Sequence, residues 1–445
     1  MSAREVALLV VRDVFAAPGT NQPERGAQDA LDYRARKARL EPRALAFATE
    51  LAYGAIKMRR ALDWYLEPFV GGRAQPLPTA LRELLRLAIY ELVYTEPDVH
   101  ATVFEFVNLA KKYGHRGLAN LANAVLRSFL RERPLDPVPE LFETDDEYLG
   151  TRYSLPAWIV RQWRGAFAGA TEDICAGVDR PASNAVVFDL ARTTREALAA
   201  VFEAHGVTAR PSPFAPDALL VDRFAVVRSL EDRAHGPWWV QSESSAMPVA
   251  VLNPQPGEAV LDVCSGRGNK ALQIGGRLAG DGSLLCLERD PRKAAHLEKR
   301  LQAAGVAAGI VIGDATHELL LADQRFDRVL LDAPCSGIGV VGRHPEARWK
   351  KQASDGERLA DTQRALLARM AGHVLEGGAL VYAVCSTDPR ETTEVVDAFL
   401  NKENFERGLI PAAFEPFLTE AGDVLVPPGI EGRDGFFIAR LERRG

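Results

Sequence analysis

Residues Ala259-Val260-Leu261-Asp262-Val263-Cys264-Ser265-Gly266-Arg267-Gly268-Asn269-Lys270 carry an apolar strand pattern into a glycine-containing turn and then a helix. Glycines at 266 and 268 let the backbone pass close to a ligand, and the helix N-terminus behind them favours a carboxylate or phosphate. Outward from this stretch, Ser283–Glu288, Gly309–Asp314, Arg328–Asp332 and Ala379–Cys385 read as further strands, with Ala259–Cys264 as the first. Helical segments such as Arg292–Ala304 and Gly356–Leu375 lie between them. Regular alternation of this kind predicts an α/β, doubly wound parallel sheet over residues 241–445. Asp434–Arg440 reads as an added edge strand after a turn. Ligands of such sheets sit beyond the carboxyl ends of the strands. Asp262, Glu288, Asp314, Asp332 and Cys385 all fall there.

Asp262 and the loop Cys264, Ser265, Gly266, Arg267, Gly268, Asn269 and Lys270 are therefore candidate cofactor contacts. Glu288 can accept both hydroxyls of a ribose, and Asp314 an adenine amino group. A dinucleotide or S-adenosylmethionine would suit this set equally, and a purely structural turn is the plain alternative. The GxGxxG spacing is absent, because residue 271 is Ala, which argues against NAD.

Two cysteines follow apolar runs, in Leu330-Leu331-Asp332-Ala333-Pro334-Cys335-Ser336-Gly337 and in Leu380-Val381-Tyr382-Ala383-Val384-Cys385-Ser386. Free cysteines are usually small buried hydrophobes. At the mouth of a nucleotide-binding sheet, a thiolate can instead add to an electron-poor ring carbon. The five cysteines are an odd, scattered set with no CxxC spacing, which argues against a disulfide framework or a zinc site and for a reducing, cytoplasmic setting. Cys264 and Cys286 are expected within strands as core residues, and Cys175 as structural. No apolar run reaches the length of a membrane span, and no secretory cleavage pattern opens the chain.

Residues 1–135 read as all helix, with Leu81, Leu84, Leu85, Ala88 and Leu92 on one stripe and Leu118, Leu121, Val125 and Phe129 on another. Pro23-Glu24-Arg25-Gly26, Gly71-Gly72 and Glu96-Pro97-Asp98 punctuate the helices. This part holds 20 Lys and Arg against 15 Asp and Glu; the remainder holds 34 against 45. A basic part joined to an acidic one fits a phosphate-contacting arm on a catalytic body, although a solvated helical surface would look similar. Lys111, Lys112, Arg127, Arg131 and Arg133 carry both readings. Residues 136–240 form a Pro-rich linker and a small α+β module, with strands at Ala185–Phe188 and Leu219–Val221 around a helix near Thr194–His205. Trp238 and Trp239 pack under the linker or stack on bases.

Asp332-Ala333-Pro334-Cys335-Ser336-Gly337, Arg343-His344-Pro345-Glu346-Ala347-Arg348-Trp349, Val384-Cys385-Ser386 and Glu431-Gly432-Arg433-Asp434-Gly435-Phe436-Phe437 resemble the RNA 5-methylcytosine methyltransferases, in particular the bacterial 16S rRNA branch of RsmB/Sun type. Tyr53-Gly54, Ala88-Ile89-Tyr90-Glu91-Leu92 and Ala122-Asn123-Ala124-Val125-Leu126-Arg127 resemble a NusB-like RNA-binding domain. The resemblance implies a Rossmann-like S-adenosylmethionine-dependent domain, RNA as substrate, and neither DNA nor membrane as partner, with the protein a monomer. It also implies roles. Cys385 is the nucleophile that adds to cytosine C6, Cys335 assists elimination and product release, and Asp332 hydrogen-bonds or protonates N3. Lys270 contacts the cofactor or stabilises charge, and Arg343 and His344 supply positive field or hold phosphate. The target base must leave its stack, so partly folded small-subunit rRNA is the expected substrate.

The chain departs from the family's Cys-Ala-Ala-Pro-Gly-Gly-Lys-Thr loop, with Arg267 for a proline and Asn269 for a glycine. Asn269 is expected to accept positive φ there, and Arg267 either pairs with the cofactor's carboxylate or crowds it. Val384 stands for a threonine, and the Leu-Arg-x-Asn pattern near 186–190 is missing. Two other readings stand beside the enzyme on rRNA: a non-catalytic RNA-binding or ribosome-assembly factor on a decayed scaffold, and a tRNA cytosine-C5 methyltransferase.

Overall fold

A computed structural model describes residues 1–16, 25–71, 76–234, 236–316 and 321–445. Of the expected helix breaks, Pro23, Glu24 and Gly72 lie outside the described residues. The chain divides into two compact units, one of residues 1–164 with 343–351 and the other of residues 165–342 with 352–445.

The first unit is helical: α1 (Ala3–Val14), α2 (Ala27–Ala38), α3 (Pro42–Lys57), α4 (Arg59–Val70), α5 (Thr79–Tyr94), α6 (Val99–Tyr113) and α7 (Arg116–Glu132), then Asp145–Arg152 and Ala157–Phe167. The expected stripes face its core, with Leu81, Leu84, Leu85 and Ala88 buried on α5 and Val125 and Phe129 on α7. Asp98 caps α6 by accepting from the Ala101 amide at 3.0 Å. Gly54 permits the approach of α3 to α5: a Cβ there would lie 1.9 Å from the Tyr90 ring. Glu91, buried on α5, accepts from Arg4 at 2.5 and 2.8 Å and from Thr102 at 2.6 Å. Removing one member of such a set costs about 3–5 kcal/mol.

Residues 343–351 complete this unit. Arg348 is fully buried and its Nη1 donates to the carbonyls of Lys57, Tyr153 and Ser154 at 3.2–3.5 Å. Trp349 Nε1 donates to Ile56 O at 2.6 Å, and the Ala27 amide donates to Glu346 at 3.1 Å. A buried guanidinium thus supplies donors to carbonyls at the C-terminus of α3 and just after the helix Asp145–Arg152, where helix dipoles favour a cation.

The second unit carries two sheets. The smaller is antiparallel, formed by β1 (Asn184–Phe188), β2 (Ala209–Pro211), β3 (Ala218–Val221) and β4 (Trp238–Val240) in the order β2-β3-β1-β4. The larger comprises β5 (Ala259–Val263), β6 (Ser283–Glu288), β7 (Gly309–Ile312), β8 (Phe326–Asp332), β9 (Val374–Val384), β10 (Phe405–Arg407), β11 (Val424–Val426) and β12 (Phe436–Arg443). Its order is β10-β12-β9-β8-β5-β6-β7, with β11 paired to β12. Strands β5 to β9 are parallel, as expected, while β12 is antiparallel to β9. The sheet is thus a mixed, Rossmann-like one.

In two places the large sheet differs from the sequence expectation. The last strand is not an edge: β12 is flanked by β9 on one side and by β10 and β11 on the other. Its run of buried Phe436, Phe437, Ile438 and Ala439 is that of a strand covered on both faces. The helix expected to reach Leu375 ends at Ala371, and Val374 already pairs with Phe326 in the sheet. Among the described residues no helix is long and apolar enough to cross a membrane.

The small module is fixed to the cofactor-loop helix, Asn269–Leu278, through a buried carboxylate. Asp217 accepts from Gln273 at 3.1 Å and from Arg277 at 2.8 and 3.0 Å. Trp238 packs edge-on to Phe202 at 5.1 Å, and Trp239 donates to Gln241 at 2.8 Å. Both indoles are buried, so packing is their role.

Candidate active site

The order of the large sheet reverses between β5 and β8, so the crevice for a ligand opens where these neighbouring strands end. Asp262 lies on β5 and Asp332 closes β8. After β5 the chain turns tightly, with φ positive at Cys264 (62°), Gly266 (60°) and Gly268 (88°). At Gly268 a Cβ would also meet Leu297 at 2.5 Å, so only glycine fits.

Asn269 is thereby relieved of the role expected for it. It starts the helix, and its Oδ1 accepts from Arg300 at 2.5 Å. Arg267 points to solvent, with only its carbonyl held, by Arg300 at 2.8 Å. Cys264 is likewise not a strand residue: β5 ends at Val263, and the Cys264 thiol packs against the sheet core from the turn. Burial, followed by the charges of Asp332 and Glu288, pushes that thiol up to about 12, which leaves it unreactive. Cys286 and Cys175 are fully buried, as expected of core residues.

Asp262 is wholly buried, and neither carboxylate oxygen has a hydrogen-bond partner. Burial pushes it up to about 7, against the opposing influence of Ser265 and the Lys270 charge. An orphaned buried carboxylate calls for a cationic donor. Glu288 is already engaged at both oxygens, accepting from Gly266 N at 2.7 Å and Asp290 N at 2.8 Å. Asp314 accepts from the Thr316 amide and hydroxyl at 3.0 and 2.7 Å.

Lys270 stands between the loop and the cysteines. Its Nζ donates to Asp332 at 2.6 Å and to Ser245 at 3.3 Å, and it lies 5.7 Å from the Phe436 ring. Burial would lower its proton affinity, yet the charge and hydrogen bond of Asp332, with Asp262 and Cys385 behind them, carry it upward. This ammonium is a fixed positive charge beside Cys385. Arg343 and His344 open the segment 343–351, which clusters with the helical unit.

Because β8 and β9 are adjacent, the loops beyond them are neighbours, and the Cys335 and Cys385 sulfurs stand 3.2 Å apart as free thiols. The Gly339 amide donates to Cys385 O at 3.1 Å; a Cβ on Gly339 would lie 2.2 Å from Gly435 O, so the approach depends on glycine. The hydrogen bond to Cys385 raises Cys335 well above an ordinary thiol, and burial and the charges of Cys385 and Glu391 add to the shift. Among the described residues no group of three or more His, Cys, Asp or Glu is placed to hold a metal ion.

The 16S rRNA methyltransferase RsmB/F model matches residues 249–442, the NusB model residues 1–131, and the ferredoxin-like domain of RsmF/B-like methyltransferases residues 155–228. A probable ribosomal RNA small subunit methyltransferase B of Bacillus subtilis (strain 168) is 32% identical over 411 residues, spanning 89% of this chain and 90% of its own. The chain belongs to the 16S rRNA methyltransferase RsmB/F family. The ribosomal RNA small subunit methyltransferase B of Salmonella arizonae is 30% identical over 405 residues, 90% of each chain. The crystal structure of PH0851 has the same fold from end to end, with a TM-score of 0.81 at 22% identity over 100% of this chain and 99% of that one. NSun6 from Pyrococcus horikoshii, determined with SFG, shares the fold over 65% of this chain and 98% of its own, with a TM-score of 0.57 at 17% identity.

As an RsmB/F enzyme the protein is an S-adenosylmethionine-dependent rRNA methyltransferase. The site fits that cofactor: the orphaned Asp262 carboxylate suits an ammonium group, and the turn at Gly266 leaves room along the backbone. The middle module, for which the sequence suggests no chemistry, matches the ferredoxin-like domain of this family. Ser245 and Glu391 belong to no motif that the sequence singles out, and contacts alone bring them to the site.

Asp262 has a measurable signature. Its folded value near 7 exceeds the unfolded value of about 3.9. The penalty for ionising it is absent below about pH 4, grows as pH rises, and is complete above about pH 7. Urea melts of the cofactor-free protein should therefore show Asp262→Asn gaining on wild type across that window, by an amount of order 4 kcal/mol. A constant difference across the window would remove Asp262 from the role of orphaned carboxylate.

Proposed function

We propose that the protein methylates C5 of a cytosine in small-subunit rRNA through a covalent bond between Cys385 and C6. The observation that carries this reading is the pair of sulfurs 3.2 Å apart beside the Lys270–Asp332 pair at the sheet's switch point. C5 of cytosine is a poor nucleophile. Addition of the Cys385 thiolate at C6 moves the ring's electrons toward N3 and makes C5 enamine-like. Asp332 takes up the proton that Cys385 gives up and passes it to N3, and Lys270 balances the charge of the carboxylate that results. When bound, S-adenosylmethionine supplies an electrophilic methyl group to C5. Asp262, Glu288, Asp314 and the loop Cys264–Lys270 would hold it. Loss of the C5 proton to water then lets the C6–sulfur bond break; its electrons return to Cys385, and N3 gives its proton back to Asp332. The Cys335 S–H, hydrogen-bonded to that sulfur, stabilises the departing thiolate.

The same reading takes residues 1–135 as an RNA-binding arm, 136–240 as linker and module, and 241–445 as the catalytic part of a cytoplasmic monomer. Arg267 turned to solvent and Asn269 at an ordinary helix start remove the grounds for a decayed cofactor loop.

The test is methyl transfer from labelled S-adenosylmethionine to protein-free small-subunit rRNA, followed by nucleoside analysis. Labelled 5-methylcytidine is the expected product. Another labelled nucleoside would overturn the chemistry, and 5-methylcytidine formed only on tRNA would overturn the substrate.

A further inference from the structure

Glu391 sits in the short turn Pro389–Glu391 that follows β9, and it is completely buried. Asp388 caps this turn by accepting from Arg390 N at 3.0 Å, and Tyr382 Oη donates to Glu391 O at 2.6 Å. The backbone is therefore fixed, and the carboxylate reaches both cysteine loops. Its Oε1 accepts from the Ser336 amide at 2.8 Å and from Gln363 Nε2 at 3.0 Å. Its Oε2 accepts from the Ser386 hydroxyl at 2.6 Å and from the Ser336 hydroxyl. Ser336 and Ser386 are the residues immediately after Cys335 and Cys385.

All four of these donors are neutral, and the two hydroxyls that Glu391 holds lie 3.1 Å from each other. Two of the four bonds go to the residue after Cys335, so the negative charge lies on that side of the sulfur pair. The positive charge, Lys270, lies on the Cys385 side. Resting on the reading of Cys385 as nucleophile, we propose that Glu391 is a positioning residue that locks the two loops with their sulfurs in contact and makes Cys335 the hydrogen-bond donor and Cys385 the acceptor. The upward shift of the Cys335 thiol, in which its bond to Cys385 and burial come first and the Glu391 charge contributes, agrees with this asymmetry. The titratable groups interacting with the pair are Glu391 and Tyr382 at Cys335, and Lys270, itself paired with Asp332, at Cys385. Of these, only Glu391 bonds to both cysteine loops.

Alkylation of the full-length enzyme with iodoacetamide, with the rate at each cysteine resolved by mass spectrometry from about pH 6 to about pH 10, reads the asymmetry without substrate. In wild type Cys385 should react at least about tenfold faster than Cys335 near neutral pH. Glu391→Gln should reduce that preference by about tenfold or more, because the charge that holds the proton on Cys335 is gone. Ser386→Ala, which loosens the clamp but keeps the charge, should largely preserve the preference. A preference unchanged in Glu391→Gln, or lost equally in Ser386→Ala, would overturn the assignment to Glu391. Faster reaction at Cys335 in wild type would instead overturn the reading of Cys385 as nucleophile.

Discussion

Cys385→Ala should lose methyl transfer to rRNA by at least about four orders of magnitude, the scale seen when a nucleophile that acts in concert with its neighbours is removed. The argument rests on the weakness of C5. Without addition at C6 the ring has no route to an enamine, so the cofactor's methyl group meets a carbon that scarcely attacks it. The fold should be unaffected. The thiol is a half-buried group at a strand end, and the Cys385 carbonyl, which alanine retains, makes the bond to Gly339. Cofactor binding by calorimetry should stay near wild type, since Asp262 and the glycine turn are on other strands. Appreciable turnover by Cys385→Ala would refute the covalent mechanism.

Cys335→Ala should behave in the opposite way, forming the protein–RNA adduct and failing to let it go. The thiol of Cys335 stands 3.2 Å from the sulfur that must depart. Its S–H is the donor in reach of the developing thiolate, and charge-assisted hydrogen bonds of this kind are about twice as strong as neutral ones. A gel resistant to denaturant should show a shifted band that grows with time and disappears on RNase treatment. Single-turnover methylation should be close to wild type, while multiple turnover should fall by about 100-fold or more, in line with the loss of one stabilising donor. Normal turnover with no band would remove Cys335 from the release step.

The parallel sheet was legible because alternating apolar runs and helical stripes recur at short intervals, and because each strand closes on a polar group. Where the pattern misled, the cause was tertiary. Phe436 to Ala439 are apolar without a break, and nothing local tells a strand covered on both faces from one at an edge. The cofactor loop was recognisable from its glycines. That positive φ falls on Cys264, Gly266 and Gly268, and spares Asn269, depends on how the turn meets Leu297 and Leu287. Cys335, Cys385 and Asp332 stood out by motif. Glu391 did not, because its meaning lies in Ser336, 55 positions away, and no spacing rule links them. Arg343 and His344 follow Cys335 closely in the chain, yet the segment that they open, 343–351, clusters with the helical unit, which no local pattern announces.

That detour has a consequence in time. The chain is synthesised from its N-terminus, yet the helical unit needs residues 343–351, which leave the ribosome 187 residues after Arg164. At about 5–20 residues per second this is a wait of roughly 10–40 s. Until then the carbonyls of Ile56, Lys57, Tyr153 and Ser154 lack the donors that Trp349 and Arg348 later supply. The first part of the protein to be made is therefore among the last to be finished.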